Sequence, residues 1–135
     1  MKILISVFAM IVTVASQQAP SIQSELLKAR DECYKSENVS QSDIEKLNNH
    51  EYDEDLSHEA KCHIRCFGMK TGLWDDTHGY NVEKSYQYVV NTGSKVSKED
   101  LRKCVTPNTD DDDKCTWAAK NMRCLSKNEY FRMKL

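Results

Sequence analysis

The chain has 135 residues, 19 Lys and Arg against 21 Asp and Glu, and a formal net charge of −2. That length accommodates one domain, and the mixed charge, with no basic stripe carrying interleaved aromatics, argues against a nucleic-acid partner. Charged residues at 30% and aromatics at 8% leave a modest core, and the six cysteines supply further means of holding it.

Residues 1–16 read as a signal peptide: Lys2 gives a minimal basic start, Ile3 to Val14 an uncharged apolar stretch, and Val14-Ala15-Ser16 a small-residue cleavage site. The stretch is short of the roughly 20 apolar residues a spanning helix needs, so a membrane anchor is not expected. The expected product is a secreted, extracellular domain over 17–135 without membrane insertion. Loss of Lys2 with the signal makes its charge one unit more negative than that of the full chain.

Period-two alternation is absent and the chain holds only four glycines and two prolines, which favours helices over strands. Ile22, Leu26, Ala29 and Cys33 share one face of a first helix. Ser40 caps a second helix through Ile44 and Leu47, with Val39 and Ile44 as a hydrophobic staple. A third starts at Asp55 or Ser57 and carries Leu56, Ala60, Cys62, Cys66, Phe67 and Met69. Cys62 and Cys66, four apart, then point the same way, so each is expected to bond a distant partner and not the other. A loop from Lys70 to Gly79 precedes a fourth helix from about Asn81, with Val82, Tyr86, Val89 and Val90 inward and Gly93 at its end. Ser97 and Asp100 form a capping arrangement for a fifth helix with Leu101, Cys104 and Val105, stopping near Pro107. The run Asp110 to Asp113 leads into a sixth helix from about Lys114, with Trp117, Ala118, Met122 and Leu125 apolar.

An even cysteine count in a short exported chain reads as a disulfide framework, and six cysteines allow fifteen complete pairings, among which spacing alone does not choose. A rival reading is a metal site made with His50, His58, His63 or His78, with His63 placed between Cys62 and Cys66. Zinc thiolates prefer paired short spacings and an oxidising compartment favours disulfides, so no metal is expected and His63 reads as a helix-face residue with an ordinary polar contact. The four-aspartate run lacks the alternation and central glycine of an EF-hand loop. Neither a Gly-x-Ser-x-Gly elbow, a phosphate-binding loop, nor the Cys-Cys-x-x-His-Asp helix of secreted phospholipases occurs, so no catalytic residue is assigned and a non-enzyme is expected. Asn38-Val39-Ser40 is a glycosylation acceptor sequence at a turn, unless Ser40 is engaged as the helix cap.

The cysteines at 33, 62, 66, 104, 115 and 124 leave gaps of 28, 3, 37, 10 and 8 residues. In that order the spacing resembles the insect odorant-binding proteins of the pheromone-binding and general-odorant-binding family, in its six-cysteine subfamily. Gly72-Leu73-Trp74-Asp75, the acidic run before Cys115, and Tyr130-Phe131 are similar to family features. The resemblance implies an all-α bundle of about six helices around an internal hydrophobic cavity, with interlocked bridges Cys33–Cys66, Cys62–Cys115 and Cys104–Cys124. It also implies a cavity among the helices, where the apolar side chains Met69, Leu73, Trp74 and Tyr86 are candidate ligand contacts. Val89, Val90, Trp117, Ala118 and Met122 complete the helical set. Residues 125–135 form the implied tail or lid, bringing Tyr130 and Phe131, with Met133, to the opening.

The implied function is carriage of a small hydrophobic ligand, a volatile odorant or pheromone, through aqueous fluid to a chemosensory receptor, without a cofactor. The chain is expected to be a monomer or homodimer. Two other functions fit the same framework: a non-olfactory carrier in saliva, venom, haemolymph or reproductive fluid, and a secreted structural or inhibitory protein without a small-molecule ligand.

Overall fold

A computed structural model describes residues 22–130. The signal peptide, Phe131 and Met133 lie outside the described residues. Six helices are present among them: α1 (Ile22–Ser36), α2 (Gln41–Asn48), α3 (His58–Thr71), α4 (Val82–Asn91), α5 (Lys98–Arg102) and α6 (Lys114–Lys127).

Local chemistry sets most of the boundaries. Ser40, Ser57, Asn81, Ser97 and Asp113 are N-caps, each accepting from the backbone N–H three residues on. Ser97 and Asp100 complete a reciprocal capping box. Helix α3 stops at Gly72, whose φ of 76° is left-handed backbone that a side chain would strain.

Between α3 and α4, where the sequence reads as loop, two short strands pair antiparallel: β1 (Trp74–Asp75) and β2 (Gly79–Tyr80). Asp75 Oδ1 accepts from the backbone N–H of Thr77 at 2.8 Å and of His78 at 2.5 Å, which closes the turn. Strands of two residues are too short to display alternation, so the sequence carries no periodic sign of them.

Helix α3 is central, packed against α1 on one side and α6 on another, with α2 also in contact. The bridges run Cys33–Cys66, Cys62–Cys115 and Cys104–Cys124, with Cα separations of 5.8, 4.5 and 5.5 Å. They tie α3 to α1, α3 to α6, and the end of α5 to α6. Their sequence separations of 33, 53 and 20 residues correspond to about 3 to 4 kcal/mol each in a chain-entropy model, less when loops overlap. Ala60, Leu101, Cys33, Cys104 and Leu125 are almost wholly enclosed.

Two expectations need correction. On α4 the inward face is centred on Ser85 and Val89, while Val90 is 47% exposed, because adjacent residues on a helix lie about 100° apart and the buried pair is spaced by four. Met69 is 48% exposed for the same reason, since the buried stripe of α3 runs through Ala60, Ile64, Phe67 and Gly68. His63 is the α3-face residue the sequence suggests, with the Arg30 carbonyl at 3.2 Å as its polar contact; it is buried in the α1–α3 seam, stacked on Tyr34 at 4.2 Å between ring centroids.

Candidate functional site

A cavity lies between α3, the hairpin and α6. Ile64, Phe67 and Gly68 form its α3 wall, Leu73, Trp74 and Tyr80 its hairpin wall, and Ala118, Asn121, Met122 and Leu125 its α6 wall. It encloses about 20 Å³, roughly the space one water occupies, so a larger guest requires the wall to give way. Of the wall residues, Met122 alone is half-buried while the rest are buried. It is also an unbranched side chain able to follow varied apolar shapes.

The hairpin is pinned at its turn through Asp76. The Arg65 guanidinium forks onto the Asp76 carboxylate, with Nε donating to Oδ1 at 2.8 Å and Nη2 to Oδ2. Trp74 Nε1 donates to the same Oδ1 at 3.1 Å, and Lys114 Nζ reaches the Asp76 carbonyl at 3.0 Å. The Arg65 hydrogen bonds hold the Asp76 carboxyl below its ordinary range, with smaller help from Trp74 and Lys114. Trp74 thereby meets Trp117 edge-on, centroids 4.7 Å apart at 75°, a favoured aromatic geometry.

Polar groups around the cavity are engaged by protein. Tyr80 and Ser85 share a hydroxyl hydrogen bond, and burial pushes the Tyr80 phenol up from its ordinary value. Trp117 Nε1 donates to the Thr106 carbonyl at 2.8 Å. Asn121 is 2% exposed; its Nδ2 donates to the Trp117 carbonyl at 2.9 Å and its Oδ1 accepts from Thr106 N at 3.3 Å.

Of the candidate ligand contacts, Leu73, Trp74, Ala118 and Met122 line the cavity. Trp117 backs the wall through Trp74. Tyr86, Val89 and Tyr130 pack in or on the core without lining the cavity, while Met69 and Val90 are exposed. Ile64, Phe67, Gly68, Tyr80, Asn121 and Leu125 are wall residues not singled out as ligand contacts from sequence. Ile64 and Phe67 carry a usable signal, an i, i+3 pair on the stripe begun by Ala60, and Asn121 another, a polar residue on the apolar stripe between Trp117 and Leu125.

His58, Cys62 and Cys115 place their ligand atoms within 4.8 Å of one another. Both sulfurs are spent in one disulfide, which removes the thiolates that a metal would take. The acidic run serves the fold: Asp113 caps α6, and Lys120 Nζ pairs with Asp110 at 3.0 Å and Asp112 at 2.5 Å. Asn38 is exposed at the α1–α2 turn with φ of 52°, and Ser40 Oγ accepts from Asp43 N at 3.2 Å. Among the described residues no helix is long and apolar enough to cross a membrane.

The PBP/GOBP family model matches residues 15–128. The chain belongs to that family. PBP/GOBP relatives include Odorant-binding protein 22 of Aedes aegypti, 33% identical over 129 residues that span 95% of this chain and 91% of that protein. General odorant-binding protein 99a of Drosophila melanogaster is 29% identical over 130 residues, 94% of this chain and 90% of the relative. General odorant-binding protein 57c of the same fly is 32% identical over 123 residues, 87% and 80% respectively. The three bridges and the central α3 are thus the frame of a PBP/GOBP protein, and the cavity beside them is its candidate binding site.

Proposed function

We propose that the chain is a secreted carrier that holds a small hydrophobic molecule in the cavity between α3, the hairpin and α6, and conveys it through aqueous fluid to chemosensory receptors. The observation that carries this reading is a largely apolar wall that includes Trp74, with Trp117 packed behind it, in a chain of the PBP/GOBP family. Residues 1–16 direct export in this reading, and the protein performs no catalysis.

Physical scale supports it. A guest that removes roughly 300 Å² of apolar surface from water gains on the order of 7 kcal/mol at about 25 cal/mol per Å². Opening the wall and the guest's lost freedom oppose that gain, which sets affinity near the micromolar range and makes release easy. Met122 forms the mouth. The segment after α6 acts as a lid: Tyr130 N donates to the Leu125 carbonyl at 2.9 Å and its ring is half-buried against the core.

Fluorescence titration with N-phenylnaphthylamine tests the reading. One probe per chain, displaced by apolar volatiles and accompanied by a change in tryptophan emission, is expected. The fully oxidised protein binding no lipophilic probe would remove the proposal. Transcript enrichment in antennae is expected for the olfactory role, and enrichment confined to another secretory tissue would move the carrier to that fluid.

A further inference from the structure

Building on the carrier reading, we infer that Asn121 is the hydrogen-bonding handle of the cavity and that the preferred guests are compact apolar molecules bearing one acceptor oxygen, such as a ketone, aldehyde or ester. The other polar side chains in and behind the wall are already engaged by protein. The Trp74 indole N–H is committed to Asp76, the Trp117 N–H behind it to Thr106, and the Tyr80 hydroxyl to Ser85.

Asn121 differs because a primary amide carries two N–H groups. Its orientation is set at both ends: Thr106 N requires the oxygen and the Trp117 carbonyl requires the nitrogen. One N–H is used by that carbonyl at 2.9 Å, and the second has no protein acceptor. With the residue 2% exposed and part of the cavity wall, a guest oxygen is the group positioned to satisfy it. A buried donor left without a partner is unfavourable, so an acceptor-bearing guest gains where a hydrocarbon of equal shape does not.

Helix geometry strengthens the assignment. Asn121 follows Trp117 by four residues and Ala118 by three, so the amide sits on the same α6 face that supplies the apolar wall. Wall movement at Met122, the next residue, opens space beside the amide without disturbing the two contacts that orient it.

The test uses the oxidised, isotope-labelled chain with methyl pentyl ketone and its methylidene analogue, in which CH2 replaces the oxygen. Addition of the ketone is expected to move one Asn121 side-chain amide proton downfield, and the hydrocarbon to leave it in place. In competition with N-phenylnaphthylamine, Asn121→Leu is expected to lower the ketone-to-hydrocarbon affinity ratio about tenfold relative to the unaltered chain. Ketone that displaces the probe without moving the Asn121 amide overturns the inference and leaves the carrier reading standing. An unaltered chain that binds neither probe nor ketone overturns both. The amide measurement needs no variant, so a misfolded Asn121→Leu does not block the decision.

Discussion

A Cβ placed on Gly68 would lie 2.5 Å from Cβ of Trp74. The hairpin therefore seats on α3 only because position 68 has no side chain, and the contact partner is the rigid stem of an indole held by Asp76 and Trp117. Gly68→Ala gains helix propensity but must push the hairpin away, and overpacking of this kind costs about 1–3 kcal/mol. A lower thermal midpoint and a red shift in tryptophan emission are the expected results. An unchanged midpoint would show that the hairpin yields freely.

Tyr80 and Ser85 make a second closed pair, with Ser85 wholly buried. Ser85→Ala leaves a buried phenol without its partner, at a cost of about 1–3 kcal/mol. Adding Tyr80→Phe removes the orphan, so the double variant should be less destabilised than the sum of the two single changes. Denaturant unfolding of all four proteins measures the coupling; additive losses would mean that the hydroxyls do not depend on each other.

His63 predicts an acid-sensitive seam. Its Nε2–H donates to the Arg30 carbonyl at 3.2 Å, its Nδ1 has no partner, and Tyr34 and Phe67 stack along the ring. Burial is the largest influence and lowers the imidazole to about 4, opposed by the Arg30 carbonyl and aided by the Arg30 charge. The unfolded chain, with histidine near 6.5, takes up this proton first. The contribution is thus fully present above about 6.5 and is lost as pH falls toward 4, amounting to roughly 3 kcal/mol. Unfolding free energies measured between pH 7 and 4.5 should fall with acidification, and His63→Phe should flatten that slope. An identical slope in the variant would place the sensitivity elsewhere.

Truncation after Asn128 tests the lid. Removing residues 129–135, Tyr130 among them, should speed exchange of N-phenylnaphthylamine while leaving helical content and all three bridges intact. Exchange at the original rate would exclude those residues as the gate.

Asn38 tests whether the capped turn is modified. Its side chain is exposed, but Ser40 is engaged as the α2 cap, the arrangement in which the acceptor sequence reads as an unmodified turn. Secretion from insect cells should therefore yield a species whose mass glycosidase leaves unchanged. A product that loses mass on that treatment, with the loss abolished by Asn38→Gln, would show that capping does not prevent modification.

Much of the fold was legible because it is written locally. Ser40, Ser57, Asn81, Ser97 and Asp113 announce helix starts through side chains that reach only three residues ahead. The cysteine spacing carried the longer-range order. The cavity was harder to read, since its wall joins residues whose identity says little alone: Gly68 matters by lacking atoms, Asn121 by having a spare donor, and Tyr80 through a hydroxyl partner on another element. Met69 and Val90 misled for the opposite reason, being apolar on helices whose buried stripes pass one residue to the side.

Cys62 and Cys66 sit one turn apart on α3 yet bond in different directions, one to α6 and the other to α1. Covalent links thus bracket the α1, α3 and α6 sides of the bundle, and the 37 residues between Cys66 and Cys104 form the longest span with no crosslink. That span contains the hairpin and α4. Backbone swelling beyond what the Met122 side chain can yield is therefore directed into this arc, whose hairpin turn is held by hydrogen bonds at Asp76 and by no covalent link. Its amides should exchange with solvent through openings smaller than global unfolding, ahead of those in α3 and α6, and a guest should slow that exchange most in the arc.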